Sequence, residues 1–147
     1  MANQRPPSPL GLSLPATSSG PASCPCGSGS PVTLCCGRIH ADPTLAVTAE
    51  QLMRARYSAF VLHRRAFLEI SWHSSTRPDR IDLDHDTEWL GLTITKVVAG
   101  GPKDDVGEVA FIARLREAAS GESVQQLVEH SRFVREDGRW RYLDALR

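Results

Sequence analysis

The sequence carries no surplus of charge of either sign, with 17 Lys and Arg set against 17 Asp and Glu in 147 residues. That balance argues against a broad electrostatic footprint for nucleic acid or an anionic membrane. No apolar run approaches the roughly 18 residues of a membrane span, so no membrane partner is expected. No export signal is expected either. The apolar stretch Leu10-Gly11-Leu12-Ser13-Leu14 is closed off by Pro9 and Pro15, short of the apolar centre of about 7–15 residues that a signal peptide needs. Ala22-Ser23-Cys24 has no such centre before it, which argues against lipidation. Gly27-Ser28-Gly29-Ser30 lacks the Lys-Ser/Thr that a phosphate loop requires. No nucleophile motif is recognisable. Finally, no cysteine lies outside residues 24–36.

What is present divides the chain into three. Residues 1–23 are dominated by Pro, Ser, Gly and Ala and read as a flexible tail, unable to bury enough apolar surface to offset ordering. Residues 24–42 contain all four cysteines, Cys24, Cys26, Cys35 and Cys36, spaced C-x-C-x₈-C-C. Four thiolates supply the closed tetrahedron of a structural zinc and leave no position for a reacting water. Gly27, Gly29 and Gly37 suit the tight turns around such a metal. Zn²⁺ is the expected cofactor, with disulfides, free thiols or an iron–sulfur centre as alternatives. A cytoplasmic location is expected, and reduced thiols are normal there.

The segment Cys24-Pro25-Cys26-Gly27-Ser28-Gly29-Ser30 through Cys35-Cys36-Gly37 resembles the SEC-C motif, a zinc-binding module first named in the tail of a protein-translocation ATPase. The resemblance implies that the four cysteines bind zinc. The lysines through which that tail helps to bind an acidic chaperone are replaced here by Ser30-Pro31-Val32-Thr33-Leu34, so that partner is not implied.

Residues 43–147 read as one α+β domain, helices first and an antiparallel meander after them. Thr48 and Gln51 form a capping box, and Val47 and Leu52 a hydrophobic staple. Leu52, Met53, Tyr57, Phe60 and Val61 then make an apolar stripe at helical spacing. A shorter helix is expected over 65–72, burying Phe67, Leu68 and Trp72. Asp82-Leu83-Asp84-His85-Asp86 starts like a calcium loop but lacks its glycine and closing Glu, and so reads as a solvated connection. Strand alternation places Leu90, Leu92 and Ile94 on one face, then Val109, Phe111, Ala113 and Leu115 on another, with a third strand near 124–135 after Ala119-Ser120-Gly121-Glu122. Asp137-Gly138 predicts a two-residue hairpin pairing Glu136 with Arg139, Arg135 with Trp140, Val134 with Arg141 and Phe133 with Tyr142. One face of that hairpin then holds Ser131, Phe133, Arg135, Trp140 and Tyr142, with Arg135 over Trp140.

This order resembles the nuclear transport factor 2-like fold, a curved sheet wrapped around helices to form a conical pocket. Met53-Arg54-Ala55-Arg56-Tyr57-Ser58-Ala59-Phe60, Trp72-His73-Ser74-Ser75-Thr76, Trp89-Leu90-Gly91-Leu92, Ser131-Arg132-Phe133 and Asp137-Gly138-Arg139-Trp140-Arg141-Tyr142 resemble the YchJ-like uncharacterised protein family 0225. That family carries no established reaction, so the resemblance implies a fold and leaves the activity open. The leading expectation is a zinc-clipped binding or interaction module for a protein partner or small ligand. The alternative is a ligand-binding protein or enzyme, with His73 and His130 as acid–base candidates and Tyr57, Trp89, Glu108 and Arg114 as orienting residues. Nucleic acid ranks third as a partner: Arg132, Arg135, Arg139 and Arg141 cluster with Trp140 and Tyr142, but they divide between two faces.

Overall fold

A computed structural model describes residues 22–118 and 123–146. The expected tail therefore lies outside the described residues up to position 21, as does the turn at 119–122. Three α-helices, α1 (Cys36–Ala41), α2 (Ala49–Val61) and α3 (Arg65–Ile70), precede four strands, β1 (Thr87–Ala99), β2 (Val106–Glu117), β3 (Val124–Glu136) and β4 (Arg139–Leu146). The strands pair antiparallel in the order β1-β2-β3-β4, and the helices cover one face. This is the α+β architecture that the order of signals implies.

Helix α2 is the axis of the molecule. The Thr48 hydroxyl accepts the Gln51 N–H at 3.1 Å, and the Gln51 side chain accepts the Thr48 N–H at 3.2 Å, closing the capping box. Val47 stays largely exposed while Leu52 is buried. The backbone carbonyl of Val47 accepts the Trp140 indole N–H at 3.0 Å, tying the helix entry to β4. The first turn of α2 rests on the β1–β2 hairpin, where the Ala49 N–H donates to the Gly100 carbonyl at 2.9 Å. Gly100 has φ +76°, and a Cβ there would stand 2.8 Å from that of Ala49. The joint thus requires glycine for both conformation and space.

Strand parity sets the core. Val109, Phe111 and Ala113 are fully buried beneath the helices, and Phe133 and Trp140 join them from β3 and β4. The Asp137-Gly138 register is the expected one over its four pairs, and the Arg135 guanidinium lies 4.4 Å from the centre of the Trp140 ring. Three bulges depart from simple alternation, one of them at Thr95 of β1, between the Ile94–Phe111 and Lys96–Ala110 pairs. In β1, Trp89 pairs with Leu115 and Gly91 with Arg114, so Leu90 is the extra residue. Leu90 is exposed while Trp89 packs against the core, correcting the alternation expected of Leu90, Leu92 and Ile94. In β4, Phe133 pairs with Tyr142 and Arg132 with Asp144. Leu143 bulges, and Arg132 makes a bidentate ion pair with Asp144 at 2.7 and 2.6 Å.

Candidate functional site

The cysteines are brought together by a short loop folded back on itself. The Cys24 N–H donates to the Ser30 carbonyl at 2.8 Å and the Val32 N–H to the Ala22 carbonyl at 2.9 Å, while Gly27 and Gly29 turn the chain at φ +84° and +87°. A 3-10 turn, Val32–Leu34, then delivers Cys35 and Cys36 to the start of α1. Gly37 allows that turn to close, because a Cβ on it would fall 2.6 Å from the Val32 carbonyl oxygen. The four Sγ atoms all lie within 4.8 Å of one another, and those of Cys26 and Cys35 are 3.6 Å apart. Four thiolates around one zinc, each at about 2.3 Å, stand about 3.8 Å apart. The donor set therefore fits such an ion.

Electrostatics sharpen that fit. Hydrogen bonding from Cys36 draws the Cys26 thiol down to about 4, against the opposing effect of burial. Cys36 is pushed up by the same bond and by burial, and Cys35 by burial above all. One thiolate forms readily here, and it opposes the next unless a cation stands among them. The knuckle is also part of the main core. The Arg54 guanidinium donates to the Cys26 carbonyl at 2.9 Å, Cys24 Sγ lies 3.5 Å from Ser58 Oγ, and the His40 ring N–H meets the Ala55 carbonyl at 2.8 Å.

On its other side, α2 faces a cavity of about 300 Å³ under the curved sheet. Tyr57, Phe60, Trp72, Trp89 and Tyr142 supply aromatic walls, and Phe111 and Ala113 of β2 line it as well. The Tyr57 and Trp89 rings meet edge to face at 5.7 Å. Burial pushes the Tyr57 phenol up, with the Gly91 backbone and Arg114 partly offsetting it.

Comparison with known proteins places this architecture. Residues 48–145 match the family described as "YchJ, middle NTF2-like domain". A UPF0225 protein of Xanthomonas campestris pv. campestris (strain 8004) is 49% identical over 133 residues, spanning 89% of this chain and 98% of its own. One from Chromobacterium violaceum is 43% identical over 129 residues, spanning 85% and 93%. The chain belongs to the YchJ-like UPF0225 family. Two solved structures share its fold. RPA3114 of Rhodopseudomonas palustris, a SEC-C motif containing protein, has a TM-score of 0.72 and 31% identity, covering 84% of this chain and 96% of that one. A SEC-C motif containing protein from Psychrobacter arcticus has a TM-score of 0.67 and 25% identity, covering 82% and 80%.

Within this YchJ-like domain, only Tyr57 and Trp89 of the six pocket candidates line the cavity. His73 stands at the end of α3, its N–H donating to the Tyr142 carbonyl at 2.8 Å, with Nδ1 2.8 Å from Ser75 Oγ and Nε2 3.9 Å from Glu136. Glu108, Arg114 and His130 alternate with the buried Val109, Ala113 and Ser131, so their side chains project from the opposite face of the sheet. There, His130 pairs with Glu108 at 2.7 Å, and Arg114 donates to the Thr93 hydroxyl at 3.2 Å. Three of the hairpin arginines are engaged too: Arg132 pairs with Asp144, Arg135 donates to the carbonyls of Asp104, Gly138 and Pro102, and Arg141 to that of Ile70. Trp140, expected on a stacking surface in the nucleic-acid reading, is buried.

The chemically distinctive cavity residues that the sequence reading did not single out are Arg56 and Glu129. Both had a signal. Arg56 follows Leu52 by four and Met53 by three, on the apolar stripe itself. Glu129 shares strand parity with Ser131 and Phe133.

Proposed function

We propose that this protein is a binding module clipped by a structural Zn²⁺, held by Cys24, Cys26, Cys35 and Cys36. The observation that carries the reading is the convergence of the four sulfurs within 4.8 Å. Such an ion supplies folding free energy, on the order of 10 kcal/mol in small zinc modules, and no open coordination position for chemistry. A reducing cytoplasm, the location proposed here, keeps the thiols available to it. The test is metal analysis of the full chain purified under reducing conditions. One equivalent of zinc per chain is expected; less than half an equivalent overturns the assignment.

The cavity favours a small molecule as the bound partner over a protein surface. Its ionisable lining residues are Arg56, Tyr57, Glu129 and Tyr142. The histidines first considered for acid–base work are not in that set, so ligand binding without chemistry is the reading the geometry supports.

A further inference from the structure

Arg56 sits at the inner side of the cavity and is only 4% exposed, yet no carboxylate pairs with it among the described residues. Its Nη1 donates to two neutral acceptors, the Leu68 carbonyl at 3.0 Å and the Ser71 hydroxyl at 2.6 Å. Two rings stand beside the guanidinium, Trp72 at 4.9 Å and Tyr142 at 4.6 Å, and they meet each other edge to face at 5.1 Å. The edge formed by Nε and Nη2 has no partner among the described residues. That edge is the one whose two parallel N–H groups match a carboxylate. The indole N–H of Trp72, one of these two rings, is buried without a partner among the described residues.

Charge is graded along the cavity. On the inner face of β3, Leu127 is 38% exposed, Glu129 is half-buried and Ser131 is 1% exposed, which puts Glu129 toward the mouth and Ser131 deep inside. A ligand with one anionic end suits this arrangement, since a second negative group at the outer end would meet Glu129. Its volume of about 300 Å³ is at the small end for ligand sites, and its walls are aromatic.

We propose that the cavity binds a small aromatic monocarboxylate, its carboxylate taken by the Nε–Nη2 edge of Arg56 and its ring held among Tyr57, Phe60, Trp72 and Trp89. This rests on the reading of the cavity as a ligand site. Burial pulls the Arg56 guanidinium down to about 9, which leaves it charged at neutral pH and without a fixed counter-ion. Uncompensated buried cations are costly, and a bound carboxylate would remove that cost.

The test uses the full, metal-loaded chain and calorimetric titration at neutral pH with phenylacetate, its neutral analogue 2-phenylethanol, and the dianion phthalate. Saturable binding of phenylacetate at least tenfold tighter than 2-phenylethanol is expected, with phthalate weaker than phenylacetate. Amide shifts of residues lining the cavity in two-dimensional NMR should accompany it. Arg56→Lys, which retains a charge without the bidentate edge, should reduce the acid's advantage severalfold, with folding checked by the same spectra. Glu129→Gln should narrow the gap between phthalate and phenylacetate. Equal affinity for the acid and the alcohol overturns the anion assignment while leaving a ligand cavity; no saturable binding by any probe overturns both. Because these comparisons include the unmodified protein, the proposal stays falsifiable even if Arg56→Lys fails to fold.

Discussion

Replacing Gly100 by Ala tests the joint that seats α2 on the β1–β2 hairpin. Gly100 holds φ +76°, and the added Cβ would stand 2.8 Å from Ala49 Cβ and 3.4 Å from Gly107 Cα. Neither neighbour is the end of a flexible side chain, so helix or hairpin must move. The left-handed conformation costs an L-residue about 1–2 kcal/mol, and overpacking typically adds about 1–3 kcal/mol. Restricting the unfolded chain returns about 0.4–1 kcal/mol. The net loss is about 1–4.5 kcal/mol, which at about 4 °C per kcal/mol lowers the melting temperature by roughly 4–18 °C. Gly138→Ala is the matched control: its φ is +79°, but nothing lies within 4 Å of the added Cβ. It carries the conformational cost alone, roughly 1 kcal/mol and about 4 °C. Thermal melts of both variants, followed by circular dichroism with urea titrations alongside, separate strain from close approach. Equal melting temperatures for the two variants would refute the packing argument and leave only backbone strain.

Two further outcomes follow from the geometry. Cys26→Ser removes a buried sulfur whose backbone carbonyl also anchors Arg54. It should lower zinc content below half an equivalent and destabilise α2 along with the knuckle, measured by metal analysis and hydrogen exchange of the α2 amides; undisturbed exchange in α2 would count against the shared core. Asp144 is held below its ordinary pKa first by hydrogen bonding from Arg132 and then by that residue's charge. A depressed carboxyl contributes stability above its unfolded pKa and loses it as pH falls through the lower folded value, so the pair's contribution fades only in acid. Arg132→Gln should move the Asp144 titration upward toward that of an ordinary Asp, followed by carboxyl carbon NMR; an unmoved titration refutes the pairing.

Much of this was legible in the residues because it is local. The capping box spans Thr48 to Gln51 and forms as read, and the Asp137-Gly138 turn imposes the register of the four pairs beside it. The register becomes less predictable away from the turn. Gly91 after Leu90 hints at a bulge, but where the bulges at Leu90 and Leu143 fall is settled by pairing with strands laid down elsewhere in the fold. The candidate site divided in the same way. The cysteines are twelve positions apart at most, from 24 to 36, and a short loop is enough to gather them. The pocket candidates were chosen by residue type, and Glu108, Arg114 and His130 failed on sheet parity.

By itself, then, the sequence determined the thiol donor set, the family's order of helices and strands, and the aromatic inner face of the hairpin, because spacing and turn chemistry act over a few residues. Tertiary structure alone decided that the knuckle and the domain share one core through α2, which buries cysteines on one side and walls a cavity on the other. It also decided the fate of Arg56, which is buried beside Trp72 and Tyr142, two rings from distant parts of the sequence. Burial is a property of what surrounds a side chain, and no window along the chain contains those surroundings.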